Sequence, residues 1–191
     1  RMQFTSLAAF LSNGASQLPA GAVAVLLMED HAETNSTIRH YLNLGFRNVL
    51  VLGDAGLHIS PELVERIVRI PHDLAQDNAL TDTMNPIIAA LTGRWIYYGY
   101  NAEYLFYPFS ETRSIGEVTA FVAEERRDSV LTYVIDLYAG DLAAHPSGVS
   151  LDDAHLDHSG YYAQSRSRDN LPLDRQLDMF GGLRWRFEEF V

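Results

Sequence analysis

The amino-acid sequence predicts an α/β fold of three layers, in which a mostly parallel β-sheet lies between flanking helices. Two continuous apolar runs of strand length, at residues 21–28 and 46–52, are typical of strands that are buried on both faces. A helix-like segment lies between them, and such strand–helix–strand units join parallel strands by right-handed crossovers. The 191 residues suit one domain with a substantial core. We expect a single domain over 1–191, truncated at its C-terminus because residues 186–191 stop within a strand-like pattern.

Composition limits the possible functions. The net charge of −11 disfavours nucleic-acid binding, which depends on basic residues that neutralise phosphates. All 14 basic residues are arginine, so Schiff-base chemistry and a phosphate-loop lysine are excluded. The absence of cysteine excludes disulfides and thiolate metal sites. No apolar run approaches the ~18 residues of a transmembrane helix, and the N-terminus lacks a secretory signal pattern, so we expect a cytoplasmic protein.

Local signals place the elements of the first third of the chain. The spacing of apolar residues predicts a short helix over 4–12, ended at 13–14 by a left-handed glycine cap. The helix between the two apolar runs is predicted to begin at a cap within 34–36 and to end at Leu44, before Gly45.

The middle of the chain continues the alternation. Ser60 followed by proline predicts the start of a short helix that runs through Glu65, and 67–70 is a candidate third strand. A helix is predicted over 81–91, with Gly93 as its terminator. The apolar residues predicted to face inward from this helix are Met84, Ile87, Ile88 and Leu91.

An aromatic stretch at residues 95–109 follows, and it is predicted to form a buried strand, a tight crossing and a second extended run that ends at Pro108. Eight of its 15 residues are Trp, Tyr or Phe, and its only charged side chain is Glu103. Because buried polar groups need hydrogen-bond partners, Asn101 and Glu103 must be hydrogen-bonded or lie at a cleft.

The remaining elements are predicted from a capping box and from composition. Ser114 and Glu117 have the spacing of a capping box that begins a helix ending near Arg127. A buried strand is predicted over 130–138, loops over 140–175, and a glycine turn with a strand over 180–186.

Polar residues gather where the predicted strands end, and open α/β sheets bind ligands at that edge. The candidates are Glu29, Asp30, Asp54, Asn101 and Glu103, with Asp136 as a further one. Each also has a structural interpretation, as a solvated loop residue, a turn residue or a cap. A metal site at His155 and His158, which have Asp157 between them, is the less favoured interpretation of that segment. The segment is predicted to be a loop, and no further ligand follows at a recognised interval.

Four segments carry a family resemblance. They are His40–Phe46, Gly93–Ile96 leading into Asn101–Pro108, Val134–Tyr138 and Phe180–Arg184. With these segments in this order, the chain resembles the GT-A domain of family 2-like glycosyltransferases, particularly a bacterial branch related to family 92. The resemblance implies a GT-A-like, Rossmann-like fold, a nucleotide-sugar donor and transfer of its sugar to an acceptor.

The resemblance also implies a divalent cation, held by two aspartates that precede the aromatic run. Aligned on Pro108, these aspartates fall at Tyr100 and Ala102, and only Glu103 remains acidic. A tyrosine and an alanine cannot replace two carboxylates on a hard cation. We therefore expect no metal site and no other cofactor.

The nucleotide-sugar-binding candidates are Glu29 and Asp54, whose residue type matches the family's nucleotide-contact positions, with Asn101 and Arg184. The catalytic candidates are Glu103 and Asp136, and an acid of the 152–157 loop is the alternative to Asp136 as the base. The first hypothesis is a metal-independent glycosyltransferase in which an arginine stabilises the diphosphate, the candidates being Arg94, Arg113 and Arg184. The second is an inactive GT-A-like domain that serves as a protein-binding scaffold. The third is a sugar-binding module that stacks a sugar on Trp95 and Tyr100. We further expect Glu103 at the edge of the cleft and Tyr100 in part of its space.

Overall fold

Strands and helices alternate along the first hundred residues of the chain. The computed structural model describes residues 2–156, 167–168, 171–172 and 180–185. The helices are α1 (Leu7–Asn13), α2 (Thr34–Asn43), α3 (Pro61–Val64), α4 (Ala79–Ala90) and α5 (Ile115–Glu124), with a 3₁₀ turn at Ala15–Gln17. The strands are β1 (Met2–Gln3), β2 (Val23–Met28), β3 (Asn48–Gly53), β4 (Val68–Pro71), β5 (Ile96–Tyr100), β6 (Glu103–Phe106), β7 (Thr132–Ala139), β8 (Ala154–Leu156), β9 (Ser167–Arg168), β10 (Leu171–Pro172) and β11 (Phe180–Trp185).

The central sheet contains five strands in the order β1–β4–β3–β2–β5, and every pairing in it is parallel. Strands β2 and β3 are buried along their whole length. This agrees with the continuous apolar runs, because a central parallel strand has both faces covered. The predicted Rossmann-like α/β sheet is confirmed.

Helices cover both faces of the central sheet and produce two apolar cores. Alternate residues of β2 point to opposite faces, as the two-residue period of a strand requires. Ala24 and Leu26 pack with residues of α2 and α5 in what we call the α2-side core. Val25 and Leu27 pack with residues of α1 and α4 in the α4-side core. These two cores make the three-layer arrangement that the sequence predicts.

A second sheet has the order β6–β11–β7–β8. The chain enters it through Asn101 and Ala102, which connect β5 of the central sheet to β6. Ala102 adopts a positive φ of 56°, the left-handed conformation that a tight reversal requires. The predicted strand, crossing and second extended run of the aromatic stretch are therefore confirmed. The predicted burial of the first strand is wrong, because β5 is an edge strand of the central sheet, in which Gly99 is buried and Tyr98 is 49% exposed.

Two predicted helix ends are wrong. Gly14 has right-handed dihedral angles, because the chain continues directly into the 3₁₀ turn. The rings of Phe4 and Phe10 occupy the space that a Cβ at Gly14 would need, so packing explains this glycine. Helix α2 has Glu33 (φ 52°) at its N-cap position, without a side-chain cap hydrogen bond, and the hydroxyls of Ser36 and Thr37 donate to the Glu33 carbonyl.

Four predictions about burial and strand placement also need correction. Ile88 is 49% exposed, because the buried stripe of α4 follows Met84, Ile87 and Leu91 and leaves Ile88 one step around the helix. Strand β7 is only half covered, with Val134 exposed on its open face. The glycines predicted to turn at 181–182 lie inside β11, and the predicted loop region contains the short strands β8, β9 and β10. No helix within the described residues is long and apolar enough to cross a membrane.

Candidate ligand-binding cleft

Three neighbouring strands of the central sheet end in one row. Met28 of β2 pairs with Gly53 of β3, and Gly53 pairs with Pro71 of β4. The residues that follow this row are Glu29, Asp54 and His72. Because adjacent strands are about 4.8 Å apart, these three residues lie side by side at the carboxyl edge of the sheet. We call them the cleft row.

The cleft row borders a cleft of about 510 Å³, a size that is common among small-molecule sites. The lining comes from the ends of the three strands and the segments that follow them. It consists of Met28, Glu29, Gly53, Asp54, Ala55, His72, Asp73, Leu74 and Ala75. Of the predicted site residues, Glu29 and Asp54 are thus brought together here.

Unused hydrogen-bond acceptors are the main polar feature of this cleft. The Glu29 carboxylate has no hydrogen-bond partner within residues 2–156. Asp54 accepts one hydrogen bond, at Oδ1 from the Gly56 amide (2.6 Å), which leaves Oδ2 available. Asp73 uses both oxygens, and the bonds from the Gln76 side chain and the Ala75 amide lower its pKa below the ordinary value. A ligand that presents hydroxyl or N–H donors suits Glu29 and Asp54.

His72 is held at both its backbone and its ring. Its amide donates to the Gly53 carbonyl (2.9 Å), and its Nε2 lies 2.7 Å from Oγ1 of Thr83 on α4. Sequence reasoning missed His72 and Asp73. The strand over 67–70 was predicted, and the rule that selected Glu29 and Asp54 also selects the polar residues after this third strand.

Asn101 lies at the crossing and is only 8% exposed. Its Oδ1 accepts from the Glu29 amide (3.0 Å), and its Nδ2 donates to Asp30 Oδ1 (2.5 Å) and to the Ala32 carbonyl (3.1 Å). These bonds fix the loop after β2, so Asn101 positions Glu29. A direct contact of Asn101 with a nucleotide sugar stays a prediction.

Glu103 is buried, at 8% exposure, and its Oε2 accepts from the Tyr100 amide (2.8 Å). Neither Glu103 nor Tyr100 lines the cleft, in contrast to the expectation that both lie at its edge. The reason is that the carboxylate closes the crossing between β5 and β6 and so lies inside the turn. A catalytic role of Glu103 stays a prediction.

Asp136 and Arg184 lie in the second sheet, in register with Glu103. Arg184 of β11 pairs with Glu103 of β6 on one side and with Asp136 of β7 on the other. Directly paired residues of neighbouring strands share one face, so an arginine position lies between two carboxylate positions. Asp136 is half-buried. The predicted roles of Asp136 in catalysis and of Arg184 in donor binding stay predictions.

The residues at the implied cation position do not fit a hard cation. Ala102 is 1% exposed and donates its amide to Thr37 Oγ1 (2.9 Å), so its position is filled by packing. The described ranges contain no group of three or more His, Asp or Glu residues arranged to hold a metal ion. In the histidine-rich segment, His155 bonds through Nε2 to Asp153 (2.9 Å), whereas Asp157 and His158 lie outside the described residues.

Two of the arginines considered for the diphosphate have other contacts. Arg94 donates to the carbonyls of Leu18 (2.9 Å) and Pro19 (2.8 Å), which precede β2. This is the amino edge of the parallel sheet, a strand length of roughly 16 Å from the cleft edge, so Arg94 cannot serve a ligand there. Arg113 lies over the Phe109 ring, 5.2 Å from its centroid.

The stacking platform predicted for a sugar is wrong. Trp95 packs against the α2-side core, whereas Tyr100 packs against the α4-side core. The two rings therefore lie on opposite faces of the central sheet and cannot hold one sugar between them.

The chain matches no known family model, and a comparison with curated proteins finds no significant match. What the protein does is therefore inferred from the cleft and its surroundings.

Proposed function

We propose that this protein is glycosyltransferase-like and binds a nucleotide sugar in the cleft bordered by the cleft row. The observation that supports this most is the register that sets Glu29 and Asp54 next to each other at the carboxyl edge, with unused acceptor oxygens. Ribose hydroxyls and base N–H groups are donors, and carboxylates accept from them strongly. We also propose that the protein is cytoplasmic and, as the resemblance implies, bacterial.

In the reaction that we propose, the sugar passes to an acceptor hydroxyl without the usual metal ion. Asp136 takes the proton of the hydroxyl, whose oxygen bonds to the anomeric carbon while the bond from that carbon to the diphosphate breaks. The carboxylates of the cleft row repel the diphosphate, so it extends away from them towards the second sheet. Arg184 is the candidate that stabilises its charge.

Binding of nucleotide sugars tests the proposal directly. UDP-glucose and GDP-mannose are titrated into the protein by calorimetry, with and without Mn²⁺. We expect binding that does not depend on Mn²⁺ and that weakens about tenfold or more in Asp54→Asn, since one charged acceptor is lost. The matched control is Asp128→Asn, which changes an exposed acid beyond α5 and leaves affinity unchanged.

Three results would count against the proposal. Absence of binding by either sugar nucleotide rejects the nucleotide-sugar site. Binding that needs Mn²⁺ rejects the metal-independent part. If the sugar nucleotide binds but no nucleoside diphosphate is released in the presence of a range of acceptors, the transfer step is rejected and the second candidate is favoured.

The second candidate is a GT-A-like domain without catalysis that serves as a protein-binding scaffold. The buried position of Glu103, with its carboxylate bonded inside the turn, favours this alternative. Phe109 is 65% exposed, and Tyr98 and Phe106 are also exposed, so aromatic surface is available for a protein contact.

A further inference from the structure

His72 differs from the other polar residues of the cleft in its chemistry. Among the described residues that line the cleft, it is the one whose side chain can donate a hydrogen bond. Asp54, the neighbouring member of the cleft row, offers only acceptors at neutral pH. The strand register therefore sets an acceptor pair beside a donor.

The contact with Thr83 determines which ring nitrogen of His72 faces a ligand as a donor. Thr83 is fully buried, so its hydroxyl proton needs an acceptor. Within residues 2–156, this hydroxyl has Nε2 of His72 as its acceptor, 2.7 Å from Thr83 Oγ1. If Thr83 donates to Nε2, the neutral imidazole carries its proton on Nδ1. Nδ1 has no hydrogen-bond partner in the same part of the chain and is left for a ligand.

We propose that Asp54 and His72 read the base of the nucleotide and select guanine. The inference rests on the proposed nucleotide-sugar site and names its ligand class as a guanosine diphosphate sugar. Guanine presents two adjacent donors, N1–H and the N2 amino group, followed by the O6 acceptor. Oδ2 of Asp54 matches one donor, and Oδ1, which accepts the Gly56 amide and can accept a second hydrogen bond, matches the other. Nδ1–H of His72 matches O6.

The other bases satisfy fewer of these groups. Uracil has one N–H between two carbonyls, and hypoxanthine lacks the amino group of guanine, so each supplies one donor to the Asp54 carboxylate where guanine supplies two. Adenine and cytosine place one amino group beside a ring acceptor and also lose one bond. One hydrogen bond to a charged group corresponds to about a tenfold difference in affinity. Glu29 remains available for the ribose hydroxyls.

Affinities of nucleoside diphosphates test the inference. GDP, IDP, UDP and ADP are titrated into the wild-type protein and into His72→Gln, His72→Asn and His58→Ala. We expect GDP to bind about tenfold more tightly than the other three. Glutamine places its amide near Nε2 and asparagine near Nδ1, so His72→Gln weakens GDP binding about tenfold while His72→Asn retains it. His58→Ala removes an exposed histidine outside the cleft and changes nothing.

Thr83→Val gives an independent variant that keeps the imidazole and the shape of the buried residue. It removes the proton donor that sets the tautomer, and we expect the affinity for GDP to fall. Thermal melting of every variant shows that it is folded before affinities are compared. Equal affinities of the wild-type protein for the four nucleotides, or an affinity for GDP that is unchanged in His72→Gln, overturn the inference and leave the proposed function standing. No binding of any nucleotide by the wild-type protein overturns both.

Discussion

Asn101 and Glu103 show at the residue scale how polar groups are accommodated in an aromatic crossing. Asn101 uses its amide to hold the loop that carries Glu29, and Glu103 accepts the amide of Tyr100. Ala102, between them, donates its own amide to Thr37. These three residues are thus engaged in holding the two sheets and α2 together. Their backbone and side-chain bonds account for the low exposure of this segment.

Gly99 should be required by the packing around Glu103. A Cβ at this position would lie 2.5 Å from the Tyr97 hydroxyl and 2.8 Å from Glu103 Oε2, both too close. Gly99→Ala is therefore expected to destabilise the protein by about 1–3 kcal/mol, the usual cost of overpacking. Urea denaturation measures the change. Gly116→Ala is the matched control, because a Cβ at this α5 glycine would lie at an ordinary contact distance of 3.8 Å from Ser114 Oγ, and a helix favours alanine by about 1 kcal/mol. If Gly99→Ala leaves the free energy of unfolding unchanged, Glu103 moves aside without cost.

The capping box of α5 illustrates what an element needs at its start. Ser114 accepts from the Glu117 amide, and Glu117 accepts from the Ser114 amide at 2.7 Å. Bonds from the Ser114 backbone and side chain lower the pKa of Glu117. Because the pKa of Glu117 is lower in the folded protein than in the unfolded chain, its carboxylate stabilises the fold at pH values above the unfolded pKa. This contribution is lost as the pH falls through the folded pKa.

Ser114→Ala is expected to lower the free energy of unfolding by about 1 kcal/mol, the usual value for a lost cap. The comparison is Ser60→Ala, since Ser60 caps α3 without a side-chain hydrogen bond and should change stability little. Denaturation of both variants at neutral pH and at mildly acidic pH measures these changes in the free energy of unfolding. Equal losses for the two serines would contradict the capping role of Ser114.

At the scale of the whole molecule, His40 joins the α2 layer to the second sheet. Its Nε2–H donates to the Leu105 carbonyl (2.8 Å), and its ring packs against Tyr104 and Phe106. Burial lowers the pKa of His40 below its ordinary value of 6.5, although the hydrogen bond to Leu105 opposes this. The unfolded chain therefore binds a proton at a higher pH than the folded protein does.

Stability should consequently fall as the pH drops below 6.5 and continue to fall until the lower folded pKa is passed. His40→Gln keeps a donor for Leu105 but has no charge to gain, so its stability should change less over this range. Melting temperatures of the two proteins as a function of pH measure the difference. Parallel curves would show that His40 does not couple protonation to the docking of the second sheet.

The sequence predicts the elements better than it predicts their ends and faces. Apolar runs and the capping box are local signals, and β2, β3 and α5 follow from them. Local signals do not predict that Ile88 is exposed or that Glu33 is the N-cap of α2. The rotation of a helix about its axis and the angle at which the chain enters it depend on packing against other elements. The site divides in the same way. Glu29 and Asp54 could be selected as residues after strands, and His72 could have been selected by the same rule.

The sequence by itself determined a three-layer α/β domain with a parallel sheet and a polar carboxyl edge, because the period and length of apolar runs depend on neighbours along the chain. The tertiary structure alone decided that Glu29, Asp54 and His72 form one row and that Glu103, Arg184 and Asp136 form another. It also decided that Glu103 is buried in the crossing. The physical reason is strand register, which is set by the packing of side chains that are far apart in the sequence.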